Sequence, residues 1–167
     1  MTAEELIELL RLEPLTFEGG YFQRNYYSNE LLPQSHLPER YQSDHTFGSA
    51  IYYLLTKDTF SEFHSLLSDE TYHFYMGDPI ELIELHPNGE CTTTILGNDL
   101  AAGQKLQHTV LRGTWQASYV RPGGNFALLG CTVSPSFEMS DWIKGNWETL
   151  LRSHPKHHQI IMRLTRK

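Results

Sequence analysis

Cysteine is nearly absent from this 167-residue sequence, which holds only Cys91 and Cys131. Two residues so far apart supply neither a disulfide framework nor a cysteine-based zinc site. No apolar run approaches the roughly 20 residues that cross a bilayer as a helix, so no membrane association is expected. Positive charge is scarce as well: 13 Lys and Arg stand against 20 Asp and Glu, for a net charge of −7. Nucleic-acid binding is driven by clustered Lys and Arg, and that partner class is excluded. The opening Met1-Thr2-Ala3-Glu4-Glu5 is acidic where a signal peptide is basic. The expectation is a cytoplasmic protein. Internal repeats and low-complexity segments are missing too.

Hydrophobic residues make up 40% and charged residues 20%, the composition of a folded chain. A chain of this length hides roughly 70% of its unfolded surface, so one domain over residues 1–167 can carry its own core. Residues 1–13 read as a helix. Thr2 and Glu5 have capping-box spacing, Leu6, Leu9 and Leu10 form an apolar stripe, and Pro14 ends the segment. From Tyr21 the texture becomes β, rich in aromatic residues. Residues 28–45 hold Pro33 and Pro38 and read as a long loop of the kind that often serves as a lid.

Strand-like runs then follow at short intervals: 49–56, 59–66, 71–76, 80–86, 91–96, 105–111, 114–120 and 126–133. Turn signals such as Gly77-Asp78-Pro79, Pro87-Asn88-Gly89 and Pro122-Gly123-Gly124 separate them. This pattern predicts an all-β antiparallel sandwich or barrel over 20–134, not a βαβ fold. Residues 138–167, with Trp142, 146–152 and 157–164 at helical spacings, predict short helices that cover one face or end of the barrel.

The stretch from Phe60 to Asp78 is the richest in chemistry. Two strands joined by the Ser68-Asp69 turn bring His64 and Glu70 near one another. Imidazoles with a carboxylate form both a first-row metal set and an acid/base set. Strand alternation puts Glu70, Tyr72 and Phe74 on one face and Thr71, His73 and Tyr75 on the other, so Glu70 and His73 enter one pocket only through a bulge or a turn.

Glu70 followed by Gly77, behind an upstream histidine and a tight turn, resembles the first motif of the cupin superfamily. Leu111-Arg112-Gly113-Thr114-Trp115-Gln116 resembles the second. Further blocks are Glu18-Gly19-Gly20-Tyr21-Phe22, Phe63-His64, His73-Phe74-Tyr75, Gly113-x-Trp115-Gln116-Ala117 and Gly130-Cys131-Thr132-Val133. Together they resemble the small, functionally uncharacterised branch called cupin 5. The resemblance implies an antiparallel double-stranded β-helix, or jelly roll, with an N-terminal helix and short C-terminal helices. Cupins include dioxygenases, isomerases, epimerases, storage proteins and binders, so the fold selects no activity.

Metal-binding cupins would carry histidines at 63, 65 and 116, where this chain has Phe63, Ser65 and Gln116. The metal set is thereby reduced to His64, Glu70 and Gln116, and a neutral amide is a poor ligand for zinc or iron. The reading adopted is a metal-free pocket for a small polar or sugar-like molecule, with isomerase or epimerase chemistry as its catalytic form. His64, Glu70 and His73 would be its catalytic groups. Tyr52, Tyr72, Phe74, Trp115, Gln116 and Tyr119 would line the ligand. The competing readings are a metal-dependent cupin enzyme and a non-catalytic dimeric binder; the resemblance also implies a homodimer, with Tyr21, Phe22, Tyr26 and Tyr27 at its interface.

Each residue also has a plainer reading. His73 reads as a hydrogen-bonded packing residue, Trp115 as core, and Cys91 and Cys131 as small buried hydrophobes. His154, His157 and His158 would face solvent, and His36 and His45 lie in or beside the long loop.

Overall fold

Two antiparallel sheets face each other across a shared interior in the computed structural model, which describes residues 1–166. The chain runs α1 (Ala3–Leu10), β1 (Glu13–Pro14), β2 (Tyr21–Tyr27), β3 (Leu31–Leu32), β4 (His45–Thr46), β5 (Ser49–Thr56), β6 (Phe60–Leu66) and β7 (Glu70–Gly77). It continues with β8 (Ile80–Leu85), β9 (Cys91–Leu96), β10 (Gln107–Val110), β11 (Trp115–Val120), β12 (Phe126–Val133), β13 (Trp142–Lys144), α2 (Trp147–Ser153) and α3 (His158–Arg163). One sheet has six strands in the order β1-β2-β5-β12-β7-β10, and the other has five in the order β13-β6-β11-β8-β9. Neighbours that are distant in sequence and antiparallel throughout give the jelly-roll form of the predicted all-β fold.

Alternation along each strand builds the interior. Tyr53 and Leu55 of β5, Tyr72 and Phe74 of β7, Ile80 and Leu82 of β8, Val120 of β11, and Ala127 and Leu129 of β12 meet in one apolar cluster. The intervening residues point outward and are covered as well. Leu54 and Leu128 pack under Leu6 and Leu12, so α1 lies on the six-stranded sheet. Phe63, Ile83, Leu85, Ala117 and Tyr119 pack under Leu150, Ile161 and Leu164, so the C-terminal helices lie on the five-stranded sheet.

The capping box forms, with the Glu5 N–H donating to Thr2 Oγ1 at 3.2 Å and the Thr2 N–H to Glu5 Oε2 at 2.7 Å. The helix stops at Leu10 rather than at residue 13, because Arg11 turns left-handed at φ 52° and Glu13–Pro14 pair with β2. Trp142 is not helical as predicted: it opens β13, which pairs with β6 as Trp142↔Leu66 and Lys144↔His64. A three-residue edge strand carries too little periodicity of its own, and the ladder it joins decides its state. His154 is buried instead of facing solvent, and its Nε2 donates to the His86 carbonyl at 2.8 Å. The 28–45 segment contains β3 and a single turn of 3₁₀ helix at Gln34–His36. At its end His45 is buried, with Nε2 2.7 Å from Asp141 Oδ2 and Nδ1 2.9 Å from the Ser43 carbonyl. No described helix is long and apolar enough to cross a membrane.

Candidate functional site

At one end of the interior the apolar packing gives way to a cavity of about 270 Å³. Its walls include Leu15, Phe17, Phe22, Ile51 and Leu66, and three side chains with titratable groups, Glu18, His64 and Glu70, reach it from separate elements.

His64 arrives through a bulge. β6 pairs with β11 as Gln116↔His64 and Ser118↔Ser61, three steps on β6 against two on β11. An extra residue of this kind re-aims the side chains that flank it. Phe63 turns out toward the C-terminal helices while Ser61 and His64 both turn in. The bulged backbone stays satisfied outside the ladder: the Glu62 N–H donates to the Glu18 carbonyl at 3.0 Å and the Phe63 N–H to the Leu164 carbonyl at 2.8 Å. His64 is 1% exposed, and its Nδ1 lies 2.8 Å from the Glu62 carbonyl. A carbonyl only accepts, so Nδ1 carries the hydrogen and, in the neutral ring, Nε2 keeps its lone pair.

Glu18 is held by a turn that only glycine can make. Gly19 and Gly20 adopt φ of 115° and 72°, and a Cβ on Gly19 would lie 2.1 Å from the Phe60 carbonyl oxygen. Tyr53 Oη donates to the Gly19 carbonyl at 2.8 Å and pins the turn. Glu18 Oε1 accepts from Ser61 Oγ at 2.7 Å, while Oε2 stands 3.8 Å from His64 Nε2, an electrostatic contact beyond hydrogen-bond reach.

Glu70 opens β7 and points inward with Tyr72 and Phe74. Its Oε2 accepts from Gln116 Nε2 at 2.7 Å, and the Cys131 thiol lies on the same cavity wall. Burial pushes the Glu70 carboxyl up to about 7; the His64 charge opposes that rise, the Glu18 charge adds to it, and the Gln116 and Cys131 hydrogen bonds oppose it. Burial, with Glu70 and Glu18 nearby, raises the Cys131 thiol well above its ordinary range and keeps it neutral. His64, Glu18 and Glu70 are thus each anchored to the scaffold by hydrogen bonds and line one shared space.

Several predicted site residues lie elsewhere. His73 is on the outer face of β7, between Thr132 Oγ1 at 2.9 Å and Gln107 Nε2 at 3.0 Å, as the alternation argument requires. Tyr52 packs outward under α1, and Trp115 and Tyr119 pack outward under the C-terminal helices, with Tyr119 also donating to Glu81. Tyr72 and Phe74 do point inward, but into the solid core and not the cavity wall. Of the aromatic residues expected at a dimer interface, Phe22 turns into the cavity, Tyr21 packs near α1, and Tyr26 and Tyr27 are exposed.

Other residues were missed. Glu18 sits in a quoted sequence block, and a carboxylate before two turn glycines was the available signal. Arg24, Glu138 and Met139 also line the cavity. Residues 137–139 line the cavity at its solvent-exposed rim, while the 28–45 loop, expected as a lid, contributes none of the lining. Trp142 stacks on His64 with ring centroids 6.2 Å apart, and only the tertiary fold brings the two together.

The donor set does not suit a divalent ion. Gln116 offers its amide N–H to Glu70 and not an oxygen to a metal, and among the described residues no three His, Cys, Asp or Glu side chains are grouped to hold one.

A closed pair of antiparallel sheets with a mixed polar and apolar cavity at one end defines a jelly-roll pocket protein. The chain belongs to the family described as Cupin superfamily (DUF985), whose model matches residues 4–143. It is similar to a protein from Shewanella oneidensis, 34% identical over 99% of this chain and 98% of that one, with a TM-score of 0.88. A hypothetical protein from Leishmania major is 27% identical over 100% of both chains, with a TM-score of 0.90. Oxalate decarboxylase from Bacillus subtilis, an enzyme with Mn(II) centres, shares 12% identity over 88% of this chain and 35% of its own, with a TM-score of 0.53. That last likeness is one of fold alone. No curated protein matches the chain.

Proposed function

We propose that this protein binds a small polar, sugar-sized molecule in the cavity without a metal, and that His64 and Glu70 exchange protons with it as an isomerase or epimerase does. One observation carries the reading: two buried, separately anchored titratable groups face the same enclosed space. A cavity of about 270 Å³ falls just below the range of drug-sized pockets, which suits a monosaccharide better than a nucleotide-linked sugar.

The two groups have complementary roles. With Nδ1 holding its hydrogen on the Glu62 carbonyl, His64 presents Nε2 as a base. A Glu70 carboxyl that titrates near neutrality is protonated in a large share of molecules and can act as the acid. His64 would take a proton from a carbon next to a carbonyl, and Glu70 would deliver one to the resulting enolate. Solvent exchange would then return both to their starting states.

A thermal-shift panel of aldoses and ketoses tests the binding. At least one sugar should stabilise the parent chain and lose that effect in both His64→Ala and Glu70→Ala; equal stabilisation of parent and variants would count against the pocket. The catalytic part has its own readout. Incubation of the bound sugar in D₂O should place deuterium on the carbon next to its carbonyl, and an unlabelled product would leave a non-catalytic binder.

A further inference from the structure

The polar atoms that face the cavity are unusual in kind. His64 Nε2 is a lone pair in the neutral ring, Glu18 Oε2 has no partner within hydrogen-bond distance among the described residues, and the Glu70 carboxyl lies on the same wall. His64 Nε2 and Glu18 Oε2 accept and do not donate. The His64 side chain is 1% exposed, and its Nε2 stops 3.8 Å short of Glu18, so this atom meets the cavity without a protein hydrogen bond. A ligand that donates to it would restore the bond it had with water.

The surrounding charges point the same way. Glu138 is a third carboxylate on the lining, at the mouth, where it accepts from Tyr27 Oη and from Ser136 Oγ. Apart from the imidazole, Arg24 is the one cationic side chain on the lining; it is exposed, and its guanidinium lies over the Tyr27 ring, 4.9 Å from the centroid. Phe17, Phe22 and Phe137 add aromatic rings to the wall, and ring faces attract cations.

We infer that the cavity takes a small molecule bearing a protonated amine, seated against Glu18, and turns away phosphorylated and carboxylated ones. An ammonium has three donors and no acceptor, the complement of the atoms presented. An anion would meet the Glu18 carboxylate in a largely desolvated space. The inference rests on the pocket reading above and narrows it. If Glu18 holds the nitrogen, the carbon that bears it, about 1.5 Å further on, comes next to His64 Nε2. Among sugars, the class that carries an amine on the carbon beside the open-chain carbonyl is the 2-amino sugar, and the acidic hydrogen on that carbon is the proton His64 would take.

Isothermal titration of the full chain at pH 7 with glucosamine, glucose and glucose 6-phosphate tests the inference. Glucosamine should bind at least tenfold more tightly than glucose, and glucose 6-phosphate should give no measurable heat. Glu18→Gln keeps an acceptor for Ser61 and should cost at least tenfold more in glucosamine affinity than in glucose affinity. The circular dichroism of that variant should match the parent. Glucose binding as tightly as glucosamine would overturn the amine preference and leave the pocket standing. Binding of glucose 6-phosphate at comparable affinity would overturn it, and so would silence from all three probes. In that last case the sugar panel judges the pocket separately.

Discussion

The interior of this barrel has two halves made by one rule with opposite results. In the closed half the inward positions are Leu55, Leu96, Ala127 and Leu129, each 0% exposed and all apolar. In the open half the inward positions of the same strands and of the segments beside them are Ser49, Ile51, His64, Glu70 and Val133, around empty space. Backbone alternation is common to both. The contrast comes from polar residues at strand ends and from the β6 bulge, which gives an imidazole a place that a regular strand would have given to Phe63. Burying polar groups is costly unless each is paired. The open half meets that demand in part, with scaffold hydrogen bonds on His64, Glu18 and Glu70 and the cavity beside them.

The largest way to break the comparison is to hollow the closed half. Leu129→Ala deletes buried methyl groups where neighbours cannot collapse freely, and should cost about 2–5 kcal/mol. Urea unfolding checks it, and a loss under about 1 kcal/mol would mean that the closed half is packed no better than the open one.

A change of the second size acts on the open half and has the opposite sign. The Glu70 carboxyl titrates at about 7 when folded against an ordinary 4.5. Its contribution to stability is complete below about pH 4.5 and is lost as pH rises through about 7, because the folded chain resists ionising it. Glu70→Gln removes that titration. Relative to the parent, the variant should gain stability between pH 5 and pH 8 by about 3 kcal/mol. Paired unfolding curves at those two pH values read the difference directly; a parent–variant gap that does not move with pH would show Glu70 to be solvated.

The smallest effect belongs to the mouth. Tyr27 is 40% exposed and its hydroxyl donates to Glu138, a lining residue at the exposed rim. Tyr27→Phe should lower stability by less than about 1 kcal/mol. A larger drop in the unfolding midpoint would make the mouth part of the core and erase the distinction between the halves.

Much of the fold was legible in the chain. The runs at 49–56, 91–96 and 126–133 coincide with strands at both ends, because turn residues bound alternating apolar positions there. The separation of Glu70 from His73 was also readable, since successive side chains on a strand oppose one another. The aromatic lining was misread for one reason. Alternation tells which residues share a face but not which face is interior, and here both faces are apolar. α1 covers one sheet and the C-terminal helices cover the other, so Tyr52, Trp115 and Tyr119 belong to outer layers with compositions like that of the core.

The sequence by itself determined most of the strands, the antiparallel class and the nearness of His64 to Glu70 along the chain, because these depend on local spacing and on residues few positions apart. Only the tertiary structure decided that Phe63 faces out while His64 faces in, that Glu18 completes the trio, and that residues 137–139 join the lining. Those outcomes depend on a bulge whose N–H groups are satisfied by Glu18 and Leu164, at positions 18 and 164 of the chain, and no local pattern encodes partners so remote.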